Sequence, residues 1–160
     1  MKKKNKIKKT LVEQILDKAK IPYEDLSINA LEHPDELPDG IILSDIYKTL
    51  ALTGDKTGPV IGIIPLTEHL SEKKLAVVSG NKKVSMIPQK NLQKTTGYIH
   101  GANNPVGIHL NKHFPIFFDN LTKNQEFILV SAGELGRSIK INPLVLAEFV
   151  HANFADLLQS

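Results

Sequence analysis

The first ordered apolar pattern along this chain of 160 residues is helical. Leu11, Val12, Ile15, Leu16 and Ala19 recur at helical spacing, and Pro22 ends the pattern. Thr10 and Glu13 stand at the spacing of a capping box, in which each side chain satisfies the other's orphan amide. Residues 24–40 are acidic, weakly periodic and broken by Pro34 and Pro38, which suits a loop holding a short helix or strand. Residues 46–52 and 60–64 have strand texture and flank a Gly54–Gly58 turn, so an antiparallel hairpin is predicted there. Ser71 is placed to cap a short helix through residues 75–78 that Gly80 closes. A strand over 83–86 follows, and then a polar helix that Pro88 opens and that fades near Gly97.

The second half reads as strands and tight turns. Residues 115–118 and 126–130 are apolar runs of strand length, and a glycine-punctuated turn at 133–136 precedes the alternating 138–141. Asn142 and Pro143 predict a cap and first turn for a helix running to about Val150. Phe154, Leu157 and Leu158 suggest a last apolar turn packed on the body. Helices and strands mix without regular alternation, which implies an α+β fold with a mixed, mainly antiparallel sheet. No internal repeat and no linker divides the chain, so residues 10–160 are expected to form one domain behind a basic, flexible tail over 1–9.

Composition changes little: 41% hydrophobic and 23% charged is ordinary for a globular protein. The absence of cysteine excludes disulfides, thiolate metal sites and a cysteine nucleophile. No apolar run approaches the roughly 20 residues needed to cross a bilayer, so no membrane association and a cytoplasmic location are expected. Net charge is +3, and Lys2, Lys3, Lys4, Lys6, Lys8 and Lys9 gather at one end. Such a cluster attracts phosphate backbones without reading their sequence, but a solvated tail explains it at least as well.

The common catalytic signatures are missing: no phosphate-binding loop, no dinucleotide fingerprint and no nucleophile elbow. His100, His109 and His113 lack metal-ligand spacing and straddle a Gly/Pro loop, which favours surface or loop histidines. Lys48 interrupts an apolar strand, with Tyr47 and Thr49 facing the other way under period-two alternation. It is either a half-buried ammonium that needs an anionic partner or an outward lysine on an amphipathic strand. The loop of Gly101, Ala102, Asn103, Asn104, Pro105, Val106 and Gly107 is the densest turn chemistry in the chain. It either connects two strands or turns several backbone amides towards one carbonyl or oxyanion. Ser131, Gly133 and Gly136 form a second glycine turn open to the same two readings.

Taken in order, these segments resemble the YbaK/EbsC family. Lys48-Thr49-Leu50 matches its K-T-L strand, and Thr96-Gly97-Tyr98 with the Gly101-to-Pro105 loop matches its T-G-Y and G-x-x-x-P segments. An apolar strand ending at Asp119 and the turn Val130-Ser131-Ala132-Gly133 follow, with Gly136 completing it. Lys82-Lys83-Val84 and the Asn142-Pro143 helix also fit. The resemblance implies a barrel-like sheet flanked by helices, and cleavage by hydrolytic or lyase-type chemistry of the ester joining a wrong amino acid to the 3′ end of tRNA. Cysteine on tRNA for proline is the implied substrate, and prolyl-tRNA synthetase an implied second partner.

Under the same resemblance, Lys48 is the catalytic side chain, holding the terminal phosphate or ribose. Gly101, Ala102, Asn103, Asn104, Pro105, Gly107, Ser131, Gly133 and Gly136 bind substrate. Substrate thiol or water would attack, with no metal and no other cofactor. The chain departs from the family pattern in three places: Ala102 and Asn104 replace a glycine and a serine, the second turn lacks its arginine although Arg137 follows directly, and an expected tyrosine is replaced near Ile28. A non-catalytic tRNA- or synthetase-binding module is therefore the alternative expectation, and a small-molecule binder using the same pocket a third.

Overall fold

A computed structural model describes residues 8–27 and 35–160. Most of the basic tail and the position near Ile28 lie outside the described residues. In chain order come helix α1 (Leu11–Lys18), strand β1 (Glu24–Leu26), strands β2 (Tyr47–Gly54) and β3 (Gly58–Pro65), and helix α2 (Glu72–Ser79). Next are strand β4 (Val84–Met86), helix α3 (Gln89–Thr96), helix α4 (Pro105–Lys112) and strands β5 (Ile116–Asp119), β6 (Ile128–Ser131) and β7 (Ser138–Ile141). Helix α5 (Pro143–Phe149) and strand β8 (Asn153–Ala155) complete the order.

The β2–β3 hairpin pairs from Tyr47 with Pro65 to Gly54 with Gly58, as the sequence pattern predicts. Its turn is held by Asn81, whose Oδ1 accepts from the amides of Lys56 (2.7 Å) and Thr57 (3.0 Å). Antiparallel β4 extends the hairpin on the β2 side, and β5 then β8 extend it in parallel beyond β3. The sheet order is β4-β2-β3-β5-β8, and a second sheet runs β1-β7-β6. The barrel-like closure expected from the resemblance is therefore corrected to two open sheets. The long sheet ends on two three-residue strands, too short to wrap round and meet, and one parallel bridge, Ile46 with Leu129, links the sheets.

Alternation along the central strands divides the core. Ile61, Ile63, Ile116 and Phe118 face Ile128, Val130, Ile139 and Ile141 of the small sheet, with Val12 and Leu16 of α1 and Leu146 of α5. Leu52, Val60, Ile64 and Phe117 face the other way, against Leu75 and Ala76 of α2 and Leu157. Burial on both faces explains why β3 is apolar almost throughout.

The capping box of α1 is complete, with Thr10 Oγ1 accepting from the Glu13 amide at 3.1 Å and Glu13 Oε1 from the Thr10 amide at 3.0 Å. Two expectations change. The stretch from Pro105, read as loop and strand, is helix α4, capped by Asn104 with Pro105 in its first turn. The last apolar turn is strand β8, parallel to β5 with Phe154 opposite Phe118.

Candidate functional site

Lys48 stands half-buried on β2, and its neighbour Tyr47 points to the opposite face. The Tyr47 hydroxyl donates to Gln125 Oε1 at 2.7 Å, while Lys48 lines a cavity of about 420 Å³. Among the described residues no carboxylate lies within 4.0 Å of the Lys48 ammonium. Desolvation pulls its pKa below the ordinary lysine value, and the more distant charge of Glu68 opposes that shift. Of the two readings open at the sequence level, the half-buried ammonium is the one the fold adopts.

The cavity walls combine apolar and polar surface. Thr49, Leu50 and Ala51 continue from Lys48 along β2. Met86 and Ile87 from the end of β4, which pairs with β2, line it too, with Gln89 and Leu92 of α3 and His100, Gly101 and Asn103 from the segment after α3. Sequence reasoning missed the β4–α3 wall and Leu66, because nothing in a three-residue strand and a polar helix marks them as neighbours of Lys48.

The loop before α4 is shaped by its own side chains. Gly97 ends α3 in the left-handed region, and Gly101, in the loop that follows, also has a positive φ of +92°. Asn104 is fully buried: its Oδ1 accepts from the Gly107 amide at 2.7 Å and its Nδ2 donates to the Ala102 carbonyl at 3.1 Å. Asn103 Oδ1 accepts from the Thr96 hydroxyl at 2.7 Å. Among the described residues the backbone N–H groups of Asn103 and Asn104 have no protein acceptor. Gly101 and Asn103 thus join Lys48 at the cavity, whereas Ala102, Asn104, Pro105 and Gly107 are buried in the supporting structure.

Ser131, Gly133 and Gly136 do not line the cavity. Ser131 Oγ accepts from the Gly133 amide at 3.0 Å, and Gly133, at φ +93°, lies against Val12, Asn104 and Tyr98. Leu135 reaches Gly101. This turn backs the loop that faces the cavity. Arg137 turns away to pair with Glu13 at 2.9 Å.

His109 and His113 are on α4 and its cap rather than astride a loop. Their rings lie 5.5 Å apart and His151 is 5.0 Å from His109. Burial, then repulsion from His151 and His113, lowers the pKa of His109. No group of three potential ligands converges on a metal position among the described residues.

Charge is distributed unevenly around the cavity. Between Glu72 and Asp119 the chain has seven lysines and no carboxylate side chain. That stretch supplies β4, α3 and the Gly101 loop, so the part of the lining that they form carries no fixed negative charge of its own.

Three comparisons bear on this arrangement. Residues 40–149 match a family model described as an aminoacyl-tRNA editing domain. A protein of Enterococcus faecalis, EbsC, named as a Cys-tRNA(Pro)/Cys-tRNA(Cys) deacylase, is 36% identical over 98% of this chain and 98% of its own length. Among solved structures, that of a hypothetical protein matches with a TM-score of 0.82 at 20% identity, covering 92% of this chain and 99% of the other. One described as a trans-editing enzyme for prolyl tRNA synthetase matches with a TM-score of 0.77 at 18% identity, covering 93% and 95%. At such identities the two structural likenesses show the fold alone.

Proposed function

The chain belongs to the aminoacyl-tRNA editing domain family, and from that premise we propose that it is a trans-acting deacylase of mischarged tRNA, with cysteine on tRNA for proline as the first candidate substrate. The observation that carries this reading is Lys48, a half-buried ammonium without a carboxylate partner among the described residues, lining the same cavity as Gly101 and Asn103. A buried charge without a partner is costly, and an anionic ligand removes that cost. The carboxylate-free wall beside it suits a polyanion such as the 3′ end of tRNA. EbsC, similar along the whole chain, supplies the choice of substrate by its name.

An aminoacyl ester is already activated, so positioning and carbonyl polarisation can supply much of the acceleration. Lys48 holds the terminal phosphate or ribose as a point charge. The backbone amide of Asn103, which lines the cavity and has no protein acceptor among the described residues, is a donor for the aminoacyl carbonyl. With cysteine as the amino acid, its own thiol attacks the carbonyl. The new C–S bond closes a four-membered thiolactone as the ester C–O bond breaks, and the ribose oxygen leaves with a proton. An amino acid without a thiol requires water, with free amino acid as product.

The test is deacylation of Cys-tRNA(Pro), Ala-tRNA(Pro) and correctly charged Pro-tRNA(Pro) by wild type and Lys48→Ala. Turnover of one mischarged species, lost in the variant, supports the editing enzyme and identifies its substrate. Folded wild type that accelerates none of them supports instead a binding module that has lost the chemistry. In that case salt-sensitive affinity for uncharged tRNA remains, and its absence points to a small-molecule binder.

A further inference from the structure

Resting on the editing reading above, we propose that the side-chain amide of Asn103 donates a hydrogen bond to the aminoacyl carbonyl oxygen, and that the buried hydroxyl of Thr96 is the positioning residue that aims it. Thr96 is wholly buried in the last turn of α3. Its hydroxyl has a single proton and three oxygens in reach: Asn103 Oδ1 at 2.7 Å, and the carbonyls of Leu92 and Tyr98, each at 3.2 Å. The Tyr98 amide donates to the same hydroxyl at 3.1 Å. The proton goes to the shortest contact, so Thr96 clamps the oxygen end of the Asn103 amide against α3.

With Oδ1 held inwards, Nδ2 is the free end. Asn103 lines the cavity with Lys48 and Gly101, and its Nδ2 has no protein acceptor among the described residues. Asn104 cannot share the role, since its amide is engaged at both ends by Gly107 and Ala102. A neutral donor with a fixed direction suits a carbonyl that becomes negative as the thiol or water adds. Such a donor is worth more in the transition state than in the ground state. The side chain thus adds to the Asn103 backbone amide a donor that a backbone cannot provide.

The experiment is steady-state deacylation of Cys-tRNA(Pro) and Ala-tRNA(Pro) by wild type, Asn103→Ala, Asn103→Asp, Thr96→Val and Thr96→Ser, with thermal unfolding of each. The two Asn103 variants are expected to lose about 10²- to 10³-fold in kcat, with KM changed only a few-fold. Thr96→Ser keeps the hydroxyl and should retain wild-type kcat, whereas Thr96→Val should lose kcat in the same direction as Asn103→Ala. If Thr96→Val does not fold, the Asn103 pair decides. Full activity in Asn103→Ala overturns the assignment. So does retained or raised activity in Asn103→Asp, since a carboxylate can only accept. Equal damage from Thr96→Ser and Thr96→Val removes the positioning role. A folded wild type inactive on both substrates overturns the editing reading and this role with it.

Discussion

The hydroxyl of Tyr98 occupies the space that a β-carbon on Gly107 would need. The ring belongs to the segment after α3, and Gly107 to the first turn of α4 whose amide Asn104 caps. Gly107→Ala must therefore displace either the tyrosine or the capped turn. A loss of about 1–3 kcal/mol is expected, as for other overpacked sites, read as a lower urea midpoint. Tyr98→Phe in the same background should recover only part of it, because the ring carbons Cζ and Cε2 also crowd the site. Full recovery would place the conflict in the hydroxyl alone.

Glu13 and Arg137 form a buried ion pair that ties α1 to the turn behind the cavity loop. Glu13 is inaccessible to solvent, and its Oε1 accepts from both Arg137 and the Thr10 amide. Arg137 also donates to the Lys8 carbonyl at 3.0 Å. Removing one partner leaves a charge in a dry site, so Arg137→Ala should cost about 3–5 kcal/mol. The pair Glu13→Gln with Arg137→Met should cost less than the sum of the single changes. Denaturant unfolding in a double-mutant cycle measures both, and additive losses would mean that the two groups do not depend on each other.

Local chemistry made some of this legible and hid the rest. Thr10 with Glu13, the hairpin turn at Gly54 to Gly58, and Ser71 with Gly80 each encode structure within a few residues, and the fold uses all three. Lys48 could be singled out because strand periodicity places it opposite Tyr47. Helix α4 was obscured because Gly101, Asn103, Asn104 and Pro105 look like turn chemistry, when the last two are a cap and a helix start. Strand β8 has three residues and exists through its parallel pairing with β5, which no local pattern announces. The apolar wall from Met86 to Leu92 meets Lys48 only through tertiary packing. Asn104 carried the same ambiguity as Asn103, and their different hydrogen-bond partners separate them.

Lys90 and Lys94 are exposed on α3, one turn apart and next to the Gln89 that lines the cavity. With no carboxylate in the surrounding stretch, they are placed to meet phosphates of a tRNA whose 3′ end enters at Lys48. Lys90→Gln with Lys94→Gln should weaken binding of uncharged tRNA and flatten the plot of log K against log salt by about 1–2 units of slope. kcat at saturating substrate should stay at its wild-type value. An unchanged salt slope would put the RNA on another face.

Lys48 also makes the site sensitive to alkaline pH. Burial makes its protonated form less favourable than that of an exposed lysine, so the amine loses its proton at a lower pH than usual. A bound phosphate favours the charged form, so binding near that pKa takes up a proton and weakens as pH rises through it. Affinity for an oligonucleotide ending in the tRNA 3′ sequence should therefore decline as pH rises, and begin to do so before ordinary lysines titrate. Lys48→Arg stays charged throughout and should show a flat profile over that rise, even if its different shape lowers affinity overall. Lys48→Met should be flat and weak. Fluorescence anisotropy at constant ionic strength measures all three, and an alkaline decline shared by Lys48→Arg would assign the titration to another group.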